Sequence, residues 1–132
     1  MTDQTTTVAD LRGRLAQFVA DRQWQGYHDA KNLAMAIAIE AAELMEHFQW
    51  VRSDEVPAVV ANPAAREKIG EEIADVACYL LSLVNALDFD LAAIVEAKIR
   101  RNEQKYPADR FRGRYFKPGE SAKGLTREGP PA

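Results

Sequence analysis

An all-α domain, built as a bundle of four helices, is what this sequence predicts. Three observations lead there. Apolar residues recur at helical spacing in four segments. Asparagine, aspartate, threonine and proline punctuate the ends of those segments, as helix caps and stops do. No segment shows the apolar–polar alternation of a half-buried strand.

The elements follow in chain order. Met1 to Thr7 reads as a frayed arm, and Thr6 or Thr7 can cap a first helix through about Arg22. Val8, Leu11, Leu15, Phe18 and Val19 give that helix its apolar stripe. From Gln23 to Lys31 (QWQGYHDAK) a loop is expected, broken from the helix by Gly26. Trp24, Tyr27 and His28 crowd into it, either as ligand-binding material beside a scaffold or as a plug for the end of the bundle.

The second helix carries Asn32 to Trp50 (NLAMAIAIEAAELMEHFQW) and is expected to end near Val51–Arg52. Its Ala, Leu, Met and Ile content favours a helix buried on most of its circumference. A connector, Ser53 to Asn62, is interrupted by Pro57. Asn62-Pro63 then opens a third helix, which runs to about Leu87. After a turn at Asp88-Phe89, Asp90 caps a fourth helix from Leu91 to about Tyr106, and Pro107 stops it. The second and third helices are more apolar than a lone small bundle needs, which predicts burial against another copy of the chain.

Composition bounds the function classes. A chain of 132 residues fits one domain, taken as residues 1–117 with a flexible tail at 118–132. The formal net charge of −3 leaves no footprint for nucleic acid or an acidic membrane. Past Tyr106 the balance turns basic through Arg110, Arg112, Arg114, Lys117, Lys123 and Arg127, without the aromatic interleaving of a nucleic-acid platform. The single cysteine, Cys78, excludes an intramolecular disulfide and suits a reducing, cytoplasmic setting. The polar start MTDQTTTVAD is unlike a signal peptide, and no charge-free apolar run reaches spanning length.

Chemistry concentrates in two acidic pairs. Glu40 and Glu43 share one face of the second helix at i,i+3, and Glu72 and Asp75 do the same on the third. A buried carboxylate must be paired, protonated or bound to a cation. Oxygen-only ligands select Mg²⁺ or Mn²⁺ over zinc or copper. A di-iron site would need Glu-x-x-His pairs, whereas His47 stands four residues after Glu43. On the fourth helix Lys98, Asn102 and Lys105 share a face, beside Arg101; alone such a stripe is a solvated surface, next to an acidic cluster it suits a polyphosphate. Tyr79, one turn after Asp75, and Tyr106 read as site or core. No Walker loop, dinucleotide fingerprint or nucleophile elbow is present.

Glu40-Ala-Ala-Glu43 followed by Glu72-Ile-Ala-Asp75 resembles the ExxE…ExxD signature of the all-α nucleotide pyrophosphohydrolases, the MazG-like superfamily. Together with Trp24-x-x-x-His28, Phe48-Gln49-Trp50 and Lys98-x-x-x-Asn102-x-x-x-Tyr106-Pro107, the likeness is nearest the dCTP pyrophosphatase branch, over about Leu11 to Phe116. The resemblance implies Mg²⁺-dependent hydrolysis of a nucleoside triphosphate, dCTP or a modified dCTP foremost, to the monophosphate and pyrophosphate, in nucleotide-pool sanitation. It implies Mg²⁺ on Glu40, Glu43, Glu72 and Asp75; which carboxylate orients the water stays open, with Glu43 the candidate. It also implies phosphate contacts from Lys98, Asn102, Lys105 and Tyr106, and a base and sugar pocket from Trp24, His28, Trp50 and Tyr79, with Asn32 nearby. A homotetramer, or a dimer, follows in the same way. The chain departs from that branch at His28-Asp29-Ala30-Lys31-Asn32, where the branch carries a proline and an arginine, so the base stays open. The alternatives are a pyrophosphohydrolase of the same fold acting on other NTPs, dUTP or phosphoribosyl-ATP, and a non-catalytic helical oligomerisation module.

Overall fold

In the computed structural model, which describes residues 1–113, the regular elements are all helical: α1 (Val8–Asp21), α2 (Ala30–Glu46), α3 (Val56–Ala61), α4 (Pro63–Ala86), α5 (Leu91–Lys105) and α6 (Ala108–Phe111). Phe116, most of the basic tail and the boundary expected at residue 117 lie outside the described residues. Two compact units form, Met1–Phe89 and the part that begins at Asp90.

Side-chain caps start the helices where the sequence placed them. Thr7 closes a capping box with Asp10: its hydroxyl accepts the Asp10 N–H at 3.1 Å, and the Asp10 carboxylate accepts the Thr7 N–H at 2.8 Å. Asn62 accepts from the Ala65 N–H at 3.0 Å, with Pro63 in the first turn of α4. Asp90 caps α5 through the Ala93 N–H at 2.9 Å. Asp29 caps α2 in the same way, so this helix begins at Ala30, inside the expected loop.

α1, α4 and α5 end where expected, at the C-caps Arg22, Leu87 and Tyr106, whereas α2 stops short. Glu46 is the last residue of α2; beyond it, bonds of i→i+3 type (Phe48 to Met45, Gln49 to Glu46, Val51 to Phe48) tighten the chain into turns. Pro57 does not interrupt the connector but starts α3, because a proline fits a helix's first turn. The chain break after α1 falls at Gln23, not Gly26. Gln23 takes φ 54, its N–H bonds the Ala20 carbonyl and the Trp24 N–H bonds the Val19 carbonyl. These are the two bonds of a Schellman motif. Asp88, at φ 51, ends α4 identically, with Asp88 on Asn85 and Phe89 on Val84. Past Pro107, which stops α5, a short α6 forms.

Within Met1–Phe89, α4 is the hub, and α1, α2 and α3 all pack on it. Val19, Leu33, Ile69, Leu81 and Val84 form the buried apolar core, with Leu33 deepest at 2% exposure. Arg12 on α1 and Asn85 on α4 are joined by two hydrogen bonds, from Arg12 Nε to Asn85 Oδ1 at 2.8 Å and from Asn85 Nδ2 to the Arg12 carbonyl at 3.0 Å. α2 is less enclosed than its composition predicts: Met35, Ile39 and Met45 are exposed, as are Ile73 and Leu80 on α4. The described residues leave these faces exposed. Among the described residues no single helix is long and apolar enough to cross a membrane.

Candidate active site

The acidic pairs meet where α2 packs on α4. Glu40 and Glu43 project from α2 and Glu72 from α4, with one oxygen of each within 4.8 Å of the others. Glu40 and Glu72 are half-buried, whereas Glu43 and Asp75 are exposed. Burial first, then the negative fields of Glu43, Asp75 and Glu72, raise the Glu40 carboxyl above its ordinary value. Asp75 therefore belongs to the same electrostatic cluster. Oxygens sharing one ion at about 2.1 Å stand no more than about 4.2 Å apart. Small rotations, easiest at exposed Glu43, would bring the three onto one cation.

A residue not counted among the site candidates joins this cluster. His47, the C-cap of α2, places Nε2 3.8 Å from Glu72 Oε1. Its spacing of four from Glu43 puts it on that helical face, and the link to Glu72 depends on how the helices pack. Glu46, Glu67 and Glu71 stay on the exposed side. Cys78 plays no part in the cluster. Burial, and secondarily the Asp75 charge, raise its thiol, so it stays protonated and unreactive near neutral pH.

Two turns along α4 lies a cavity of about 350 Å³, lined by Leu15, Val19, Gln25, His28, Ser82 and Asn85 among others. His28 reaches it from the loop, and its Nδ1 is buried without a hydrogen-bond partner. Ser82 lines the cavity at 8% exposure. Trp24 stands beside this wall, its ring 6.5 Å from His28 at a tilt of 31°, and in edge contact with Phe18 at 5.9 Å. The Arg22 guanidinium covers the Phe18 ring at 3.6 Å. Tyr27, 74% exposed, plugs nothing; it offers its carbonyl to the Asn32 amide at 3.2 Å. Gln25, Ser82 and Asn85 carried no motif, since a cavity wall drawn from separate elements has no spacing of its own.

Trp50 and Tyr79 do not line this cavity. Trp50 sits in the turns after α2, 87% exposed. Tyr79 is half-buried on α4. In the second unit, Lys98, Asn102 and Lys105 lie on α5, and Tyr106 caps it by donating its N–H to the Asn102 carbonyl at 2.7 Å. The Lys105 ammonium stands 5.3 Å from the Tyr106 ring, which meets Phe111 edge-on at 5.2 Å.

Residues 35–116 match the model of the MazG-like family. The chain is 37% identical to dCTP pyrophosphatase 1 of Rattus norvegicus over 92% of its own length and 72% of the relative's. Against dCTP pyrophosphatase 1 of Bos taurus the identity is 36% over the same shares. A crystal structure of a pyrophosphatase from Archaeoglobus fulgidus superposes with a TM-score of 0.72 and 40% identity, covering 81% of this chain and 98% of that one.

Proposed function

This chain belongs to the MazG-like family, and from that membership we propose that it hydrolyses a nucleoside triphosphate, dCTP or a modified dCTP, to the monophosphate and pyrophosphate. The observation that carries the reading is the acidic cluster: oxygens of Glu40, Glu43 and Glu72 within 4.8 Å of one another, and Asp75 close enough to act on Glu40. Four unneutralised carboxylates repel, so the fold keeps them together at a cost that a cation removes. The donors are all oxygen, which suits Mg²⁺, with Mn²⁺ as the alternative. Bound there, the ion would neutralise the triphosphate and polarise its phosphoryl oxygens.

The chain's own groups supply the rest. Glu43 is open to solvent and is assigned to accept a hydrogen bond from the attacking water, aiming it in line at the α-phosphorus while pyrophosphate leaves. Lys98, Asn102, Lys105 and Tyr106 are assigned to phosphate oxygens, as ammonium, amide and hydroxyl donors. The cavity beside Trp24 and His28 takes the base. Ser82 follows Asp75 by seven residues on one face of α4, a rise of about 10 Å, so the two ends of a single nucleotide can reach both places. Trp50, Tyr79 and Asn32 are assigned to that nucleotide pocket. The four-helix bundle and assembly into a homotetramer, or a dimer, belong to the same reading; the exposed Met35, Ile39, Ile73 and Leu80 support assembly.

Product analysis with Mg²⁺ and a panel of dNTPs and NTPs tests the proposal. Monophosphate plus pyrophosphate, fastest from dCTP, is the expected result. Orthophosphate as the product, or no release from any nucleotide by folded protein, would overturn it.

A further inference from the structure

We propose that the Arg12–Asn85 pair sets base selection in the α1–α4 cavity, by fixing Asn85 so that one Nδ2–H donor remains for the ligand. This inference rests on the nucleotide reading above. The orientation of the Asn85 amide follows from the chemistry of its partners. Arg12 Nε can only donate, so the amide atom 2.8 Å from it is the oxygen. The Arg12 carbonyl can only accept, so the atom 3.0 Å from it is the nitrogen. A flipped amide would set donor against donor and acceptor against acceptor, leaving two part-buried polar pairs unmade. The tie therefore holds one amide orientation.

What remains is a defined polarity. Of the two Nδ2 hydrogens, one is spent on the Arg12 carbonyl and one is left. Asn85 lines the same cavity as Ser82, whose hydroxyl turns to suit its partner, and His28, whose buried Nδ1 lacks one. Asn85 is thus the wall group whose character is set before the ligand arrives. A hydrogen bond that one ligand makes and another leaves unpaired discriminates between them, because the orphaned group keeps its desolvation cost. A fixed N–H favours a ring edge that presents acceptors. Thymine also presents acceptors, at O2 and O4, so the difference lies at N3, where cytosine has a bare nitrogen and thymine a proton. Set against N3, the fixed N–H pairs with cytosine and meets a donor on thymine, and the pair favours cytosine. Arg12, which lies behind Asn85, acts as a positioning residue.

Calorimetric binding of dCMP, dTMP, dAMP and dGMP to the full-length protein and its variants reads this without hydrolysis. In the wild type dCMP is expected to bind about tenfold or more tightly than dTMP, the discrimination of one good hydrogen bond. Arg12→Met, which frees the amide to turn, is expected to bring the dCMP to dTMP ratio close to one. Arg12→Lys, which keeps a donor within reach of Oδ1, is expected to retain part of the ratio. Asn85→Asp replaces the donor with an acceptor and is expected to invert the preference. If Asn85→Asp does not fold, the two Arg12 variants decide alone. Equal weakening of all four nucleotides in folded Arg12→Met would overturn the proposal, as would equal wild-type affinities. A wild type that discriminates among monophosphates yet hydrolyses no triphosphate would end the catalytic reading and leave this one standing.

Discussion

His47 Nε2 lies 3.8 Å from Glu72 Oε1, linking the C-terminal end of α2 to the middle of α4. Both side chains are largely enclosed, at 25% and 20% exposure. The contact places an imidazole nitrogen, just outside hydrogen-bond distance, beside the one glutamate of the cluster that α4 contributes at close range. Drawn in by a small rotation, an imidazole N–H behind a ligating carboxylate would hold its rotamer and tune its basicity.

Replacing His47 with Ala should therefore raise the Mg²⁺ concentration needed for half-maximal activity by about tenfold or more, with a smaller loss at saturating Mg²⁺. His47→Gln, which retains an N–H, should recover part of the affinity. A metal titration of activity, repeated with Mn²⁺ binding followed by electron paramagnetic resonance, checks both. An unchanged Mg²⁺ dependence would remove His47 from the site.

Glu40 makes stability depend on pH in the metal-free protein. Its carboxyl is raised above the ordinary value of 4.5, so through the interval just above 4.5 the folded state holds a proton that the unfolded state has released. Stability from this group is present below that interval and is lost as pH rises through it. Glu40→Gln removes the titration, so in chelator the variant should gain in Tm over the wild type as pH rises from about 4.5 to 7.5, and Mg²⁺ should close the gap by stabilising only the wild type. A difference in Tm that does not change with pH would contradict this.

The same cluster should be indispensable to turnover. Glu40→Gln and Asp75→Asn are each expected to lower activity by more than about 100-fold, since charge stabilisation carries most of the rate. Far-ultraviolet circular dichroism should show the helices intact. Retained activity in both variants would remove these carboxylates from catalysis.

Gln23 and Asp88 occupy left-handed backbone at φ 54 and 51, where Schellman motifs end α1 and α4. Glycine adopts this conformation without a Cβ penalty. Gln23→Gly and Asp88→Gly should each stabilise the protein by about 0.5–1 kcal/mol, read as a higher midpoint in urea unfolding with the same slope. Destabilisation by either would mean that the native side chain contributes more than the strain costs.

The apolar faces should report on assembly. Sedimentation at micromolar concentration is expected to give a tetramer or a dimer. Ile39→Lys should shift it toward monomer, because a charge cannot be buried unpaired against a second copy. A monomeric wild type would leave Met35, Ile39, Ile73 and Leu80 without this explanation.

What the sequence determined by itself was local. Thr7, Asn62 and Asp90 announce helix starts because a capping bond spans three residues, and the Glu40–Glu43 and Glu72–Asp75 pairs announce shared faces because helical spacing places them there. The end of α2 was not legible: apolar composition runs on to Trp50, with no glycine or proline at the point where the bonds change from α to i→i+3. The end of α1 near Arg22 was legible, but the residue that makes it was not, because a left-handed residue other than glycine, here Gln23, leaves no mark in composition. Only the tertiary structure decided which residues meet across helices. His47 with Glu72, and Arg12 with Asn85 across 73 positions, are products of how α1 and α2 dock on α4. Periodicity states which side of a helix is apolar; the register and rotation at which two such sides pack depend on the shapes of both at once, and no single segment contains them.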